Sequence, residues 1–120
     1  MRRKLDTEWL YWRMRQVVRE RRLYLDKDLT RDALAREVLT NRTYVSRALR
    51  AHNTSFNAFI SEFRMQHALE LLCDDANRDI PQEDIAVMCG FTNADAMNRY
   101  IKKSAGQTAR ALRKRLFGTD

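Results

Sequence analysis

The chain has 120 residues, one proline, three glycines, 44% hydrophobic residues and a formal net charge of +7 at pH 7. That length suits one domain or two very small ones sharing an element, and the apolar content excludes wholesale disorder. So few turn-forming residues exclude a β-rich fold, and the basic balance favours a polyanionic partner, nucleic acid before an anionic membrane.

The predicted elements are all helical. From Thr7 to Leu25 the chain reads TEWLYWRMRQVVRERRLYL. Leu10, Met14, Val17 and Val18 share one face at helical spacing, with arginines around them. This predicts a helix laid on a core with its charge in solvent. LDKDLT is a polar connector, and Thr30 can cap a helix carrying Leu34, Ala35 and Val38. Thr40 or Asn41 caps the next helix, over 42–52, which buries Val45, Ala48 and Leu49. Asn53 tolerates the left-handed conformation that ends many helices, and Ser55 can cap the helix after it.

The segment from Phe56 to Asp74 has apolar residues on more than one side, as a helix packed on more than one side requires. It would be roughly 28 Å long at 1.5 Å per residue. DDANRD is a polar loop. Pro81 suits the first helical position, with Glu83 and Asp84 in the first turn. Thr92 or Asn93 caps a helix that ends at Lys102 and Lys103. A final helix is expected over 107–116, carrying Arg110, Arg113, Lys114 and Arg115.

Cys73 and Cys89 fall in apolar helical patterns and read as buried free thiols. No CxxC pair or Cys/His cluster is present, and His52 and His67 are too far apart for an i,i+4 pair, so neither a metal nor a cofactor is expected. Such cysteine usage fits a reducing cytoplasm. No apolar run approaches the ~18 residues of a membrane span. No hydrophobic region comes after the basic MRRKLDTEW, so neither a secretion signal nor membrane contact is expected.

The two halves repeat each other. Leu34-Ala35 corresponds to Ile85-Ala86, Val38 to Cys89 and Leu39 to Gly90. Beyond the turn Val45 corresponds to Met97, Arg47 to Arg99, Leu49 to Ile101 and Arg50 to Lys102, so the second turn is one residue longer. Each repeat is a short helix, a tight turn and a second helix. This is the layout of a helix-turn-helix, whose second helix enters a DNA major groove. Successive major grooves on one face of B-DNA lie ~34 Å apart, a span the long helix can approach. The expected organisation is a leading helix plus first helix-turn-helix subdomain over 1–54, a linker helix over 55–74, and a second helix-turn-helix subdomain over 75–120.

The stretches LAREV, TNRTYVSRALR, FNAFISEFRMQHALELL, IPQEDIAVMCGF and MNRYIKK resemble the AraC/XylS family of bacterial transcription regulators. The strongest is Ile85-Ala86 followed by Cys89-Gly90-Phe91, with Arg99 and Lys102-Lys103 behind. The resemblance covers about residues 29–113. It implies a seven-helix, all-α DNA-binding domain with two helix-turn-helix subdomains, and sequence-specific regulation of transcription from double-stranded DNA. In such proteins this domain usually comes after a sensory part of a longer chain, so this chain reads as an excised fragment or a stand-alone short member. RNA polymerase is a further implied partner. Departures fall at Asn53 and Leu39, where the family often has Gly, at Gly106-Gln107-Thr108-Ala109, where it favours Gly-x-Ser-Pro, and at Met97 and Ile101, where it has aromatics.

In the first reading helix the exposed candidates are Arg42, Thr43, Ser46, Arg47 and Arg50. Arginine can bond guanine O6 and N7 as a bidentate pair, and Ser or Thr can touch a base edge or a thymine methyl. The resemblance adds weight to Thr43 and Arg47. Arg47 pairs either with DNA or with a neighbouring acid, and Arg50 suits a phosphate. In the second, the candidates are Asn93, Ala94, Asp95, Ala96 and Arg99. Ala94 and Ala96 offer van der Waals contact alone. Asp95 either accepts from cytosine N4 or, as we favour, serves the helix dipole. The amide end of this helix is a candidate phosphate contact. Lys102, Lys103 and the basic residues of 110–115 are phosphate contacts or solvated charge. The plain front of the second helix predicts that it discriminates bases less than 42–50 do. A competing reading is a basic helical module that binds an acidic protein partner such as the transcription machinery. An enzyme is not expected, because no nucleophile–base set, carboxylate pair or phosphate loop is present.

Overall fold

The computed structural model describes residues 2–118, with side chains from residue 7 onward. Seven α-helices and no strand occur among the described residues: α1 (Arg2–Glu20), α2 (Arg31–Glu37), α3 (Arg42–Ala51), α4 (Phe56–Leu72), α5 (Gln82–Met88), α6 (Ala94–Ala105) and α7 (Ala109–Phe117). The all-α expectation holds. Short 3-10 turns lie at Leu23–Leu25 and Asp75–Asn77. The chain forms two compact units, Met1–Ile60 and Ser61–Asp120, with α4 running from one into the other.

In the first unit α1 and α2 both pack on α3. The α1 stripe of Leu10, Met14, Val17 and Val18 is buried as its spacing requires, together with Leu34, Ala35, Val38, Val45, Ala48 and Leu49. Two polar links join the elements. Arg21, just past α1, donates to Glu37 of α2 at 2.6 Å. His52, at the end of α3, stacks on Tyr11 of α1 with ring centroids 3.5 Å apart, and its Nε2 lies 3.0 Å from Oε2 of Glu8.

In the second unit α5 and α7 pack on α6. Its core comprises Met65, Ala68, Leu72, Ile85, Ala86, Cys89, Phe91, Met97, Ile101 and Ala109. Met97 and Ile101, which replace family aromatics, are fully buried here.

The repeat extends to its hydrogen bonds. The carbonyl of Ala35 accepts from the Thr40 amide, and that of Ala86 from the Phe91 amide, both at 2.9 Å. Between them Leu39 (φ 61°) and Gly90 (φ 94°) take the left-handed conformation that ends a helix in this motif. Each second helix is then capped by an asparagine. Asn41 accepts from the Tyr44 amide at 3.0 Å and Asn93 from the Ala96 amide at 2.9 Å, which places the extra residue of the second turn at Thr92. Asn53 repeats the left-handed exit at the end of α3 (φ 54°), and the Leu49 carbonyl accepts from Thr54.

Four expectations shift. The first helix ends at Glu20 rather than Leu25, because Arg22 takes the left-handed conformation (φ 54°) and Leu23–Leu25 tightens into a 3-10 turn. Pro81 is the cap residue rather than the first helical one, with extended backbone (ψ 145°) and its carbonyl accepting from Asp84 and Ile85. The last helix starts at Ala109, not 107, because Gly106 is left-handed and the Thr108 hydroxyl caps the helix. Cys73 is exposed while Cys89 is buried. Cys73 comes directly after the last residue of α4, one position past the buried Leu72, and so leaves the core face.

Candidate nucleic-acid interface

Helix α3 presents a largely polar outer surface because Val45, Ala48 and Leu49 turn inward, although Tyr44 stays exposed. Arg42, Thr43, Arg47 and Arg50 are exposed and Ser46 is half-buried. The five are not equivalent. Arg42, Ser46 and Arg50 recur at four-residue spacing and so share one side of the helix. Thr43 and Arg47 share the neighbouring side. The Arg47 guanidinium lies over the Tyr44 ring, 5.3 Å from its centroid, in a cation–π placement. Arg47 makes no ion pair among the described residues, so the alternative of a neighbouring acid is not what this structure shows.

Helix α6 has another chemistry at corresponding positions. Asn93 is exposed, but its side-chain oxygen is committed to the helix cap. Ala94, opposite Arg42 in the repeat, is buried. Its amide donates to Oε2 of Glu83 at 3.1 Å. A carboxylate therefore occupies part of the amide end that the sequence offers as a phosphate contact. Asp95 is exposed in the first turn and Ala96 packs against the core. Asn98, opposite Ser46, is a tie: its amide donates to Gln82 Oε1 at 2.9 Å and its oxygen accepts from the Ala109 amide at 2.8 Å. Only Arg99, Lys102 and Lys103 remain as exposed basic groups on this helix.

The basic cluster of α7 divides as well. Arg113 donates to the carbonyls of Ile80 at 2.6 Å and Asn77 at 2.8 Å, pinning the loop before α5, while Arg110 and Arg115 are exposed. Sequence reasoning passes over Tyr44 as a support for Arg47, and over Glu83 and Asn98 as structural partners. The repeat holds a signal for Asn98, since it stands where Ser46 stands.

Two helix-turn-helix motifs with exposed, capped second helices on a strongly basic chain define a helix-turn-helix DNA-binding protein. The sequence profile of the helix-turn-helix domain family, in its AraC type, matches residues 34–115, and the chain belongs to that family. The fold is similar to the crystal structure of a DNA-binding transcriptional dual regulator from Escherichia coli K-12, with a TM-score of 0.74, 23% identity, and 88% of this chain and 95% of that one covered. It is also similar to the C-terminal domain of AraT, a response regulator from Geobacillus stearothermophilus, with a TM-score of 0.70, 24% identity, and 88% and 84% covered. No curated protein matches in sequence. Membership of the family makes this chain a sequence-specific DNA-binding protein of the AraC type that regulates transcription. No helix among the described residues is long and apolar enough to cross a membrane.

Proposed function

We propose that the chain reads base sequence mainly through α3 of the first unit, and that α6 enters a second, successive major groove of the same duplex chiefly to add affinity and position. Thr43 and Arg47 are the base-reading side chains. Arg99 touches the second groove, and Lys102 and Lys103 meet phosphates. The observation that carries this reading is the contrast between matched positions of the repeat. Thr43, exposed on α3, stands opposite the carboxylate of Asp95, and the α6 neighbours Ala94 and Asn98 are respectively buried and tied into the fold.

The activity is binding rather than catalysis, in the cytoplasm. RNA polymerase and a sensory domain of a longer chain are the proposed protein partners. Trp9 and Trp12 on α1, and Val87 and Met88 on α5, are exposed apolar side chains available to such partners.

The test selects 30-base-pair duplexes from a randomised pool with the native chain, Arg47→Gln and Arg99→Gln. Arg47→Gln should relax preference at a single base position, at a cost of about 1–3 kcal/mol for the preferred duplex. Arg99→Gln should weaken all duplexes alike. A relaxed position with Arg99→Gln and an unaltered consensus with Arg47→Gln would reverse the assignment.

A further inference from the structure

Beside α3 lies a groove distinct from its base-facing side. One hollow of about 420 Å³ is lined by Leu29, Thr30, Arg31, Asp32, Arg42, Ser55, Phe56 and Asn57. A second, of about 260 Å³, shares Arg31, Ser55 and Phe56 with it and extends the groove along Ser46, Leu49, Arg50 and Thr54. The side of α3 that carries Arg42, Ser46 and Arg50 forms one wall. The first turns of α2 and α4 contribute to the rest.

The charge of this groove is one-sided. Arg31, Arg42 and Arg50 contribute three guanidiniums, and none of them forms an ion pair among the described residues. Asp32 is the single carboxylate on the lining, and it too is unpaired among the described residues. The Arg31 guanidinium carbon lies over the Phe56 ring, 5.8 Å from its centre. Such packing limits the side-chain entropy lost when a ligand is gripped. Thr54 and Ser55 also line the groove, with the Thr54 hydroxyl donating to the Ser55 carbonyl and the Ser55 hydroxyl accepting from the Ala58 amide. Its arginines, unpaired among the described residues, and its largely polar lining fit phosphates rather than a flat base edge.

We infer that this groove grips the sugar–phosphate backbone of one DNA strand, with Arg31, Arg42 and Arg50 as the phosphate ligands. The inference rests on the DNA-reading role of α3 and deepens it. It moves Arg42 from the base-reading set to the backbone set, and it adds Arg31, which lies outside both reading helices. Helix α3 then works with two sides. The Arg42–Ser46–Arg50 side fixes register on the backbone, and the Thr43–Arg47 side meets the bases. Contacts to phosphate give position and affinity without sequence information, so the two sides separate experimentally.

The experiment measures binding of the native chain, Arg31→Gln, Arg42→Gln and the double variant to two probes across 50–200 mM salt. One probe is a duplex selected by the native chain from a randomised pool, the other a scrambled duplex of equal length. Each single substitution should make the slope of log K against log salt shallower by roughly 0.9, and the double by roughly 1.8. The ratio of affinities for the two probes should stay unchanged. Arg31→Lys, which keeps the charge, should retain the native slope. Circular dichroism shows that each variant is folded. If either glutamine variant keeps the native slope, or Arg42→Gln lowers the ratio between probes, the backbone groove is overturned while base reading by α3 stands. If the native chain binds neither duplex at 50 mM salt, the DNA-reading role and the groove fall together.

Discussion

Leu39 sits in the left-handed region with φ 61° and is 93% exposed, so its side chain gains almost nothing from packing there. Its twin in the repeat is Gly90. That conformation costs an L-residue roughly 1–2 kcal/mol, and a Gly gives back roughly 0.5–1 kcal/mol of the relief through its freer unfolded chain. Leu39→Gly should therefore raise stability by about 0.5–1 kcal/mol, seen as a higher urea midpoint with an unchanged slope. A lower midpoint would show that Leu39 holds the turn by a contact rather than straining it. The two thiols offer another residue-level contrast. Burial, with a smaller contribution from the charge of Glu70, pushes the Cys89 thiol up to about 11 from an ordinary 9.0. A disulfide reagent at pH 8 should label Cys73 alone in the folded chain and both thiols in urea. The same shift has a definite sign for stability. The unfolded thiol ionises first, so stability is complete below pH 9 and declines as pH rises from there through 11. A Cys89→Ser variant should lose that alkaline decline, and urea midpoints across pH 8–11 would report it.

At the scale of elements, the second unit depends on two side chains that bridge helices, Asn98 and Glu83. Asn98 joins α6 to the start of α5 and to the first amide of α7. Replacing it with Ala leaves the Ala109 amide, in a fully buried residue, without its acceptor, at a cost of about 1–3 kcal/mol. Chemical denaturation of Asn98→Ala should show that loss, and no change would mean that water satisfies the amide. How legible the sequence is at this scale depends on distance along the chain. The caps at Thr30, Asn41 and Ser55 bond amides three residues on, and the duplicated turns bond within six, so residue type and spacing reveal them. The bonds of Asn98 reach 16 and 11 residues away, that of Glu83 reaches 11, and those of Arg113 reach 33 and 36. Such partners are set by how helices dock, which periodicity does not encode. In the sequence Arg113 therefore looks like any other member of a basic cluster. Ala94 looks like a groove residue because an alanine carries no sign of which way it faces.

Over the whole molecule the charge of +7 is unevenly distributed between the two motifs. The first unit sets arginines that are unpaired among the described residues along α3 and its groove, whereas the front of α6 gathers Glu83, bound to the Ala94 amide, with Asp95 exposed in the first turn and Asp84 in the same first turn as Glu83. A carboxylate at that amide replaces the phosphate that a helix start would otherwise attract, and it also repels the duplex. If the front of α6 meets the duplex as proposed, these carboxylates weaken it as a DNA-binding surface while Glu83 caps the helix. Neutralisation separates the two effects. Glu83→Gln keeps an oxygen acceptor for the Ala94 amide, and Asp95→Asn changes an exposed side chain, so neither substitution removes packing. At about 7 Å in a water-like dielectric each lost carboxylate relieves about 0.6 kcal/mol of repulsion from one phosphate, roughly threefold in affinity. The Glu83→Gln, Asp95→Asn double variant should therefore bind a random duplex roughly threefold to tenfold more tightly at low salt. The gain should shrink as the screening length falls below ~10 Å above ~0.1 M salt. Fluorescence anisotropy at 20 mM and 200 mM salt reads both effects. A double variant that binds no better than the native chain at 20 mM would place these carboxylates away from the duplex, and with them the front of α6.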